Sequence, residues 1–269
     1  MPLSLKTFGT RDMPPVFVTS FRSVAALMLR EMTTRYGRTP GGYAWAVLEP
    51  LGMIILLAFA WSLLARAPAL GVSHLLFKAT GFLVLHTFTQ LGSHVGKALS
   101  FSKPLLRYPR VTWVDAIAAR FVLNTLVIYI VTFLIIAGII LYEDIDSLLR
   151  WGPIFAAMGL AAALGLGVGC LNAFLFLRFP VWLQIWAILT RPLFIISGVI
   201  ILYEDMPPLA QQVLWFNPVL HLTGLMRDGF YPLYRPDYIS FVFVGLCIIL
   251  PMVTGLLLLR RHHRNLLNR

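Results

Sequence analysis

The chain has 269 residues, of which 59% are hydrophobic and only 12% are charged, and its mean hydropathy is +0.81. A soluble domain of this length cannot bury so much apolar surface, so the composition excludes a soluble globular protein and indicates an integral membrane protein with one transmembrane domain. The net charge of +11 does not indicate a nucleic-acid partner, because the basic residues lie between the apolar segments, where they report membrane topology.

Residues 1–43 precede the first apolar segment and are predicted to form a cytosolic N-terminal segment with one amphipathic helix over 16–36. At 100° per residue its apolar side chains fall on one arc, and Arg22 and Arg30 fall on the opposite arc. Such a helix lies at the membrane interface, where these arginines and Arg35 meet lipid phosphates. The pattern leaves one alternative open, a helix packed on the cytosolic face of the protein itself.

Six segments of about 20 mainly apolar residues are long enough to span a bilayer, which predicts an all-α fold. The second segment is the most polar, because threonines, His86 and Gln90 interrupt it. The fourth and fifth are joined by only a few residues and are predicted to form a tight hairpin. The transmembrane domain covers 44–259, and a basic cytosolic tail covers 260–269. The predicted spans are 44–65, 75–95, 116–142, 153–177, 181–203 and 239–259.

Basic and acidic residues alternate between successive inter-span segments, and this pattern predicts the orientation of the chain. The N-terminal segment, the loop after span two and the C-terminal tail are basic, whereas most acidic residues lie in the other loops. Both termini are therefore predicted to be cytoplasmic, in agreement with an even number of spans. The basic loop after span two holds Lys97, Lys103, Arg107 and Arg110.

The segment between spans five and six is predicted to form two short helices at the outer surface. Asn217 and Pro218 indicate a helix start, since Asn caps free N–H groups and Pro suits the first turn. Gly229 is a plausible stop, and a second short helix is predicted over 207–216. This element can dip back into the membrane, where non-helical backbone would need protein or water around it.

Neither a catalytic site nor a metal site is predicted, and no cofactor is expected in this chain. A G-x-x-x-x-G-K-[ST] phosphate loop does not occur, the histidines are not spaced as metal ligands, and no Ser–His–Asp set is suggested. Cys170 and Cys247 lie in apolar segments and are predicted to be buried hydrophobic residues. Gly165 and Gly169 have the small-xxx-small spacing that permits close helix packing.

Arg191 is a charged residue near the middle of predicted span five, where an unpaired charge costs several kcal/mol. One interpretation is structural: Arg191 forms an ion pair, for example with Glu49 in span one, or snorkels from a helix kinked by Pro192. The other interpretation is functional: Arg191 faces a water-filled path for an anionic substrate. The sequence leaves both open.

Aromatic residues cluster near the cytosolic ends of spans one and five, namely Tyr43, Trp45, Trp182 and Trp186. They fit an aromatic belt at the membrane interface. Aromatic faces also stack on sugar rings, so the same residues fit the mouth of a saccharide path. The sequence does not choose between these two interpretations.

Four segments of the chain resemble the permease subunit of ABC-2-type exporters, and most closely the inner-membrane subunit of capsular polysaccharide exporters. The segments are "LREMTTRYGRTPGGYAWAVLEPL", "SKPLLRYPRV", "RPLFIISGVI" and "LWFNPVLHLTGLMRDGFY". With the six-span arrangement, the resemblance covers nearly the whole chain. Its most specific feature is the order of a W-x-x-x-E-P run and a W-x-N-P-like run, the latter appearing here as "WFNP" in place of W-N-P.

The resemblance implies a homodimer in the bacterial inner membrane, with a cytosolic ABC ATPase subunit, which holds ATP and Mg, bound to each protomer. This chain would be a transporter subunit and not an enzyme. Capsule exporters move lipid-linked polysaccharide outward, together with a periplasmic co-polymerase and an outer-membrane channel. The segment 97–110 resembles the ATPase-coupling loop, and 206–229 resembles an outer re-entrant pair. Spans one and five would line the channel, placing near the path Trp45, Glu49, Trp61, Trp186 and Arg191.

Three alternatives compete with this interpretation. The nearest is an exporter of the same fold that moves lipid-linked O-antigen or teichoic-acid precursors, which the sequence barely separates from a capsule exporter. A membrane-embedded transferase would need clustered acidic or histidine residues at a membrane surface, and those of this chain are scattered. An ATP-independent transporter would often show internal inverted repeats, and no such symmetry is seen.

Overall fold

The computed structural model describes residues 16–35, 41–42, 44–64, 67–107, 111–145 and 148–267. This part of the chain forms helices joined by turns and contains no strand. Single 3₁₀ turns lie at Leu105–Arg107 and Tyr203–Asp205. The α-helices, in chain order, are α1 (Val16–Arg35), α2 (Ala44–Ser62), α3 (His74–Gly96), α4 (Ala98–Ser102), α5 (Trp113–Glu143), α6 (Trp151–Arg178), α7 (Trp182–Ile196), α8 (Pro208–Leu214), α9 (Pro218–Phe230) and α10 (Phe241–Leu267).

Helix α3 lies at the centre of the bundle, against α6, α5, α9 and α2. It corresponds to the predicted span that is most interrupted by polar residues. The hydroxyls of Thr80, Thr87 and Thr89 donate to carbonyls three or four residues earlier in the same helix, so the helix satisfies them itself. Four other helices, α2, α5, α6 and α10, are long and apolar enough to cross a membrane by length and composition.

Helices α3 and α6 approach closely through the glycines of α6. A Cβ atom added at Gly165 would lie 2.7 Å from Leu91 Cβ, and one added at Gly169 would lie 2.6 Å from Val95 Cβ. Both distances are shorter than real Cβ contacts, so larger residues would force the helices apart. The predicted role of this small-xxx-small pair in close helix packing is confirmed.

Helix α7 is shorter than the span predicted over 181–203. It has 15 residues, about 22 Å of helix, and ends at Ile196, where Ser197 and then Gly198 with φ of +74° follow. The hydrocarbon core of a bilayer is about 30 Å thick, so α7 alone does not cross it. The helix boundary predicted at 203 is therefore wrong by seven residues, and the count of six spans stays a prediction. The tight α6–α7 hairpin is confirmed, since only residues 179–181 separate the two helices.

Helix α1 forms as predicted and packs against α5. Leu27 and Glu31 are buried, whereas Phe21, Leu29 and Met32 are exposed. The helix therefore has one side on the protein and an exposed apolar side. The buried side packs on the protein itself, as in the alternative that the sequence left open. For the exposed apolar side, a position at the membrane interface stays a prediction.

The segment between α7 and α10 forms the two predicted short helices, α8 and α9. Asn217 caps α9, its side chain accepting a hydrogen bond from the Val219 N–H at 3.0 Å, and Pro218 is the first helical residue. Helix α9 ends at Phe230, one residue beyond the predicted stop at Gly229. Almost every residue of α9 is buried, mainly against α6 and α3. Of the non-helical backbone before it, residues 197–199 are buried, whereas Ile201, Glu204, Asp205 and Phe216 are exposed.

The two ends of α3 define two ends of the bundle. Helix α4 follows the C-terminus of α3, and the start of α5 packs there, so we call this the α4 end. Lys78, near the N-terminus of α3, contacts the backbone that follows α7, and α9 packs nearby, so we call this the α9 end. The basic side chains of Lys97 and Lys103 lie at the α4 end.

Candidate substrate path

A polar groove lies between α2, α3 and α5, in the half of the bundle nearer the α4 end. It encloses a cavity of about 160 Å³. Its apolar wall comes from α2 and α5, and its polar side chains come from all three helices. The residues that give it polar groups are Trp45, Glu49, His86, Gln90, His94 and Asn124.

One side of the polar groove is a stripe of polar residues on α3. His86, Gln90 and His94 are spaced four apart, so they lie on one face of the helix and line the same cavity. From the sequence, His86 and Gln90 were interpreted as interruptions of a span, and a polar face of this helix was not predicted. Their regular spacing within an apolar segment was the available signal, because a single face of such a helix can border water or a polar ligand.

Glu49 lies on α2 at the junction of two cavities. It lines the polar groove and also a second cavity of about 300 Å³ on the other side of α2, together with Met53, Phe82 and His86. Its neighbour Pro50 has no N–H, so the carbonyl of Ala46, one turn earlier, lacks its usual helical donor. Ala46 also lines the polar groove, which adds a backbone acceptor to this region.

The structure brings together only two of the five predicted path residues, Trp45 and Glu49. The Trp61 ring covers the ammonium of Lys78, 4.5 Å from the ring centroid, near the α9 end. The Trp186 ring packs edge-on against Phe88, with centroids 6.1 Å apart. Both of these tryptophans are held by contacts within the protomer, and their role in a path stays a prediction.

Arg191 is exposed on α7, a helix that has no buried residue. Neither Arg191 nor Glu49 makes an ion pair among the residues that the structure describes. The pair between them that the sequence allowed is therefore not formed within one protomer. Arg191 and Trp186 are five residues apart, so they point about 140° away from each other.

The predicted coupling segment contains α4 and the 3₁₀ turn that follows it. Lys97 is exposed and Lys103 is partly buried. Arg107 is the last residue of the turn, and Arg110 lies outside the described residues. Phe101 of α4 lies under two guanidinium groups, that of Arg30 at 5.3 Å and that of Arg120 at 4.2 Å from the ring centroid.

A buried ion pair joins α1 to α5 beside this segment, and sequence reasoning missed it. Arg120 Nε lies 3.1 Å from Glu31 Oε2, and the two side chains are only 9% and 3% exposed. Asn124 donates to Glu31 Oε1 at 3.4 Å, and Arg120 donates to the His94 carbonyl at 3.2 Å. Because His94 and Asn124 also line the polar groove, this ion pair connects α1 and α4 to the groove wall.

The three arginines predicted on α1 differ in their surroundings. Arg30 stacks on Phe101, whereas Arg22 is exposed. Arg35 is the last residue of the helix, and its side chain lies outside the described part. Contacts of Arg22 and Arg35 with lipid phosphates stay predictions.

At the α9 end, side chains from α3 and α9 satisfy the backbone that continues from α7. The carbonyls of residues 196, 197, 199 and 200 accept hydrogen bonds from Asn217, Thr223, Arg227 and Lys78, respectively. Lys78 and Arg227 are each only 1% exposed. This answers the requirement that irregular backbone at membrane depth must have polar partners.

The described residues contain no group of three His, Cys, Asp or Glu side chains that could hold a metal ion. The polar groove offers the imidazoles of His86 and His94, the Gln90 amide and the exposed Glu49 carboxylate as hydrogen-bonding groups. Groups of this kind match the hydroxyl groups of a sugar better than an apolar ligand.

Comparison with known proteins places the chain in a family. The family model for ABC-2 type transporters matches residues 22–231. The chain is 27% identical to the polysialic acid transport protein KpsM of Escherichia coli over 91% of this chain and 95% of that protein. It is 26% identical to the capsule polysaccharide export inner-membrane proteins CtrC of Neisseria meningitidis serogroup B, over 87% and 89% of the two chains, and BexB of Haemophilus influenzae, over 89% and 90%. Because the family match covers well over half of its length, the chain belongs to the ABC-2 type transporter family.

Proposed function

We propose that this chain is the inner-membrane permease subunit of an ATP-driven exporter of capsular polysaccharide. The observation that carries the proposal is the similarity to polysialic acid and capsule export proteins over about nine-tenths of both chains. The same similarity favours capsule over O-antigen or teichoic-acid precursors. The substrate then moves from the cytoplasm to the periplasm, and the chain is not an enzyme.

The path is formed between two copies of this chain. Helix α7 has no buried residue, and α2 exposes Met53 and Leu56, so both helices present apolar surfaces that a second copy covers. The polar groove opens beside α2 and offers hydrogen-bonding groups for sugar hydroxyls. Trp45, which is exposed at its rim, supplies an aromatic face on which a sugar ring stacks.

The energy comes from a separate ATPase subunit, which holds ATP and Mg. This subunit binds the chain at the α4 end. By the positive-inside rule, the basic residues of that end support a cytoplasmic position for it and for both termini. The α9 end then faces the periplasm, where the co-polymerase and the outer-membrane channel receive the lipid-linked polysaccharide.

Reconstitution tests the function directly. In proteoliposomes that hold the chain and its ATPase subunit, we expect ATP-dependent movement of capsular polysaccharide, and Arg191→Ala should lower its rate several-fold with normal membrane insertion. The reason is that Arg191 is an exposed cation without an ion-pair partner within the described protomer, on a helix expected to line the path. Arg235→Ala is the control: Arg235 is also an exposed arginine, at the α9 end, but its charge is paired, since it lies 3.6 Å from Asp228 Oδ1.

Transport by the chain without an ATPase subunit, or nucleotide hydrolysis by the chain alone, would contradict the proposal. If Arg191→Ala exports at the normal rate, Arg191 has no role in the path, although the function itself stands. The two outcomes are therefore separable.

Charge reversal at the coupling segment should weaken binding of the ATPase subunit. Lys97 is exposed between α3 and α4, so Lys97→Glu replaces an attraction with a repulsion if the partner surface is acidic. We expect the dissociation constant to rise by about two- to tenfold, as for an exposed charge pair. Arg107→Glu is expected to act in the same direction. Co-purification at two salt concentrations measures the effect, with Arg235→Glu as the control; unchanged binding would remove the coupling role from this segment.

A further inference from the structure

A large groove, which we call the α2–α5 groove, runs between α2 and α5. It has a volume of about 820 Å³, and its walls are apolar along most of its length. On α2 it runs from Val47 to Ser62, which is about 22 Å of helix. Half the hydrocarbon core of a bilayer is about 15 Å thick, so the α2–α5 groove is long enough for the acyl chains of one leaflet.

One end of the α2–α5 groove is polar. His74, the first residue of α3, and Glu143, the last residue of α5, both line it. Both ring nitrogens of His74 and the Oε2 atom of Glu143 are buried and have no hydrogen-bond partner among the residues that the structure describes. Because these residues stand at helix ends, the polar end of the groove lies at the level where lipid headgroups are found.

Tyr231 brings a further unpaired group close to this polar end. Its hydroxyl is buried and has no hydrogen-bond partner in the described ranges of the chain. Burial raises the pKa of the Tyr231 phenol, the charge of Arg227 lowers it, and the carboxylate of Glu143 raises it again, so Glu143 and Tyr231 interact. Buried polar atoms in proteins nearly always have partners. Within the described part of the chain, donors on His74 and Tyr231 and an acceptor on Glu143 thus remain unpaired; His74 and Glu143 line the groove, and Tyr231 interacts with Glu143 without lining it.

We propose that the α2–α5 groove binds a phospholipid whose headgroup carries a primary ammonium, such as phosphatidylethanolamine. The ammonium donates hydrogen bonds to Glu143, and the phosphate accepts a hydrogen bond from His74; both residues line the groove. The acyl chains lie along the apolar walls formed by α2 and α5. The inference concerns a lipid outside the proposed sugar path and does not depend on the transported substrate.

The composition of the groove favours this occupant over two others. A saccharide would require polar groups along the walls, whereas those groups are confined to one end. A second copy of the chain would bury the apolar walls but would have to bring both a cation and an anion to the same end, whereas one phosphatidylethanolamine headgroup carries both. A phosphatidylglycerol headgroup has a phosphate but no ammonium, so it leaves the Glu143 carboxylate without a charged partner.

Native mass spectrometry of the full chain in nanodiscs containing equal amounts of phosphatidylethanolamine and phosphatidylglycerol tests the proposal. We expect preferential retention of phosphatidylethanolamine and an approximately tenfold weaker retention by Glu143→Gln, as for the loss of one charge-assisted hydrogen bond. Asp144→Asn is the matched control, because Asp144 is the adjacent acidic residue and does not line the groove.

A second variant fills the groove without altering the polar end. Gly138 lines the groove, and an added Cβ atom there has no neighbour within 4 Å, so Gly138→Leu should fold normally and abolish retention of the lipid. Gly159→Leu is its control, at an equally open helical glycine elsewhere. Equal retention of both lipids, or retention unchanged by Glu143→Gln and Gly138→Leu, overturns the proposal. The proposal is also overturned if the chain forms a dimer that binds no lipid and that dissociates in the Gly138→Leu variant. That result would assign the groove to a second copy.

Discussion

Replacing Glu31 with Gln is expected to destabilise the protein by about 3 to 5 kcal/mol, the largest effect among the substitutions considered. The Arg120 guanidinium is buried with Glu31, so loss of the carboxylate leaves a desolvated cation without its charge partner. The measurement is equilibrium unfolding in mixed micelles, followed by tryptophan fluorescence. Asp205→Asn, at an exposed carboxylate, is the control and should change stability little.

A double-mutant cycle isolates the ion pair from the other contacts of its members. Arg120→Leu should also be strongly destabilising, because it leaves the Glu31 carboxylate buried. Combining it with Glu31→Met removes both charges, so the double variant should lose much less stability than the sum of the two single variants. Additive losses would mean that α1 and α5 are joined by other contacts and that the pair itself contributes little.

Asn217→Ala is expected to produce the second largest loss, about 2 to 4 kcal/mol. The side chain of Asn217 caps α9 through its oxygen, and its amide nitrogen donates to the Ile196 carbonyl at 3.1 Å and to Ser197 Oγ at 2.9 Å. Alanine removes all three bonds and leaves buried polar atoms unpaired. Hydrogen exchange should therefore accelerate at the start of α9 and around residues 196–200, and unfolding should occur at lower denaturant.

Asn217→Asp separates the two roles of this side chain. The carboxylate keeps the acceptor that caps α9, but it has no donor for the Ile196 carbonyl. We expect exchange at the start of α9 to stay slow in this variant while exchange near residues 196–200 becomes fast. If both regions respond equally, the cap and the backbone after α7 form one cooperative unit and the two roles are not separable.

Features set by local chemistry were predicted from the sequence. The Asn217-Pro218 start of α9 depends on two adjacent residues, and the α6–α7 hairpin depends on three residues between two apolar segments, so both were recognised. The helix α1 was likewise predicted from its periodicity and is confirmed over Val16–Arg35. The all-helical class followed from the long apolar segments alone.

Features that depend on which helices become neighbours were not predicted. Glu31 and Arg120 are 89 positions apart, and nothing in either segment indicates that α1 lies across the start of α5. The end of α7 was placed too late because residues 197–203 remain apolar, while the partners that stabilise non-helical backbone there come from α3 and α9. Two residues of the polar groove, Trp45 and Glu49, were predicted to lie near a substrate path. The polar residues of its α3 wall were instead interpreted as interruptions of the span.

The anchoring of the backbone after α7 restricts how this helix can move. Side chains from α3, from α9 and from its cap donate hydrogen bonds to four carbonyls within residues 196–200. This backbone therefore cannot move independently of those two helices. Pro192, inside α7, cannot donate to the Ile188 carbonyl and makes the helix easiest to bend there. A bend of α7 at Pro192 therefore leaves residues 196–200 in place and displaces the part that begins at Trp182, and it must break the hydrogen bond from the Trp182 indole N–H to Asn172 Oδ1 at 3.0 Å.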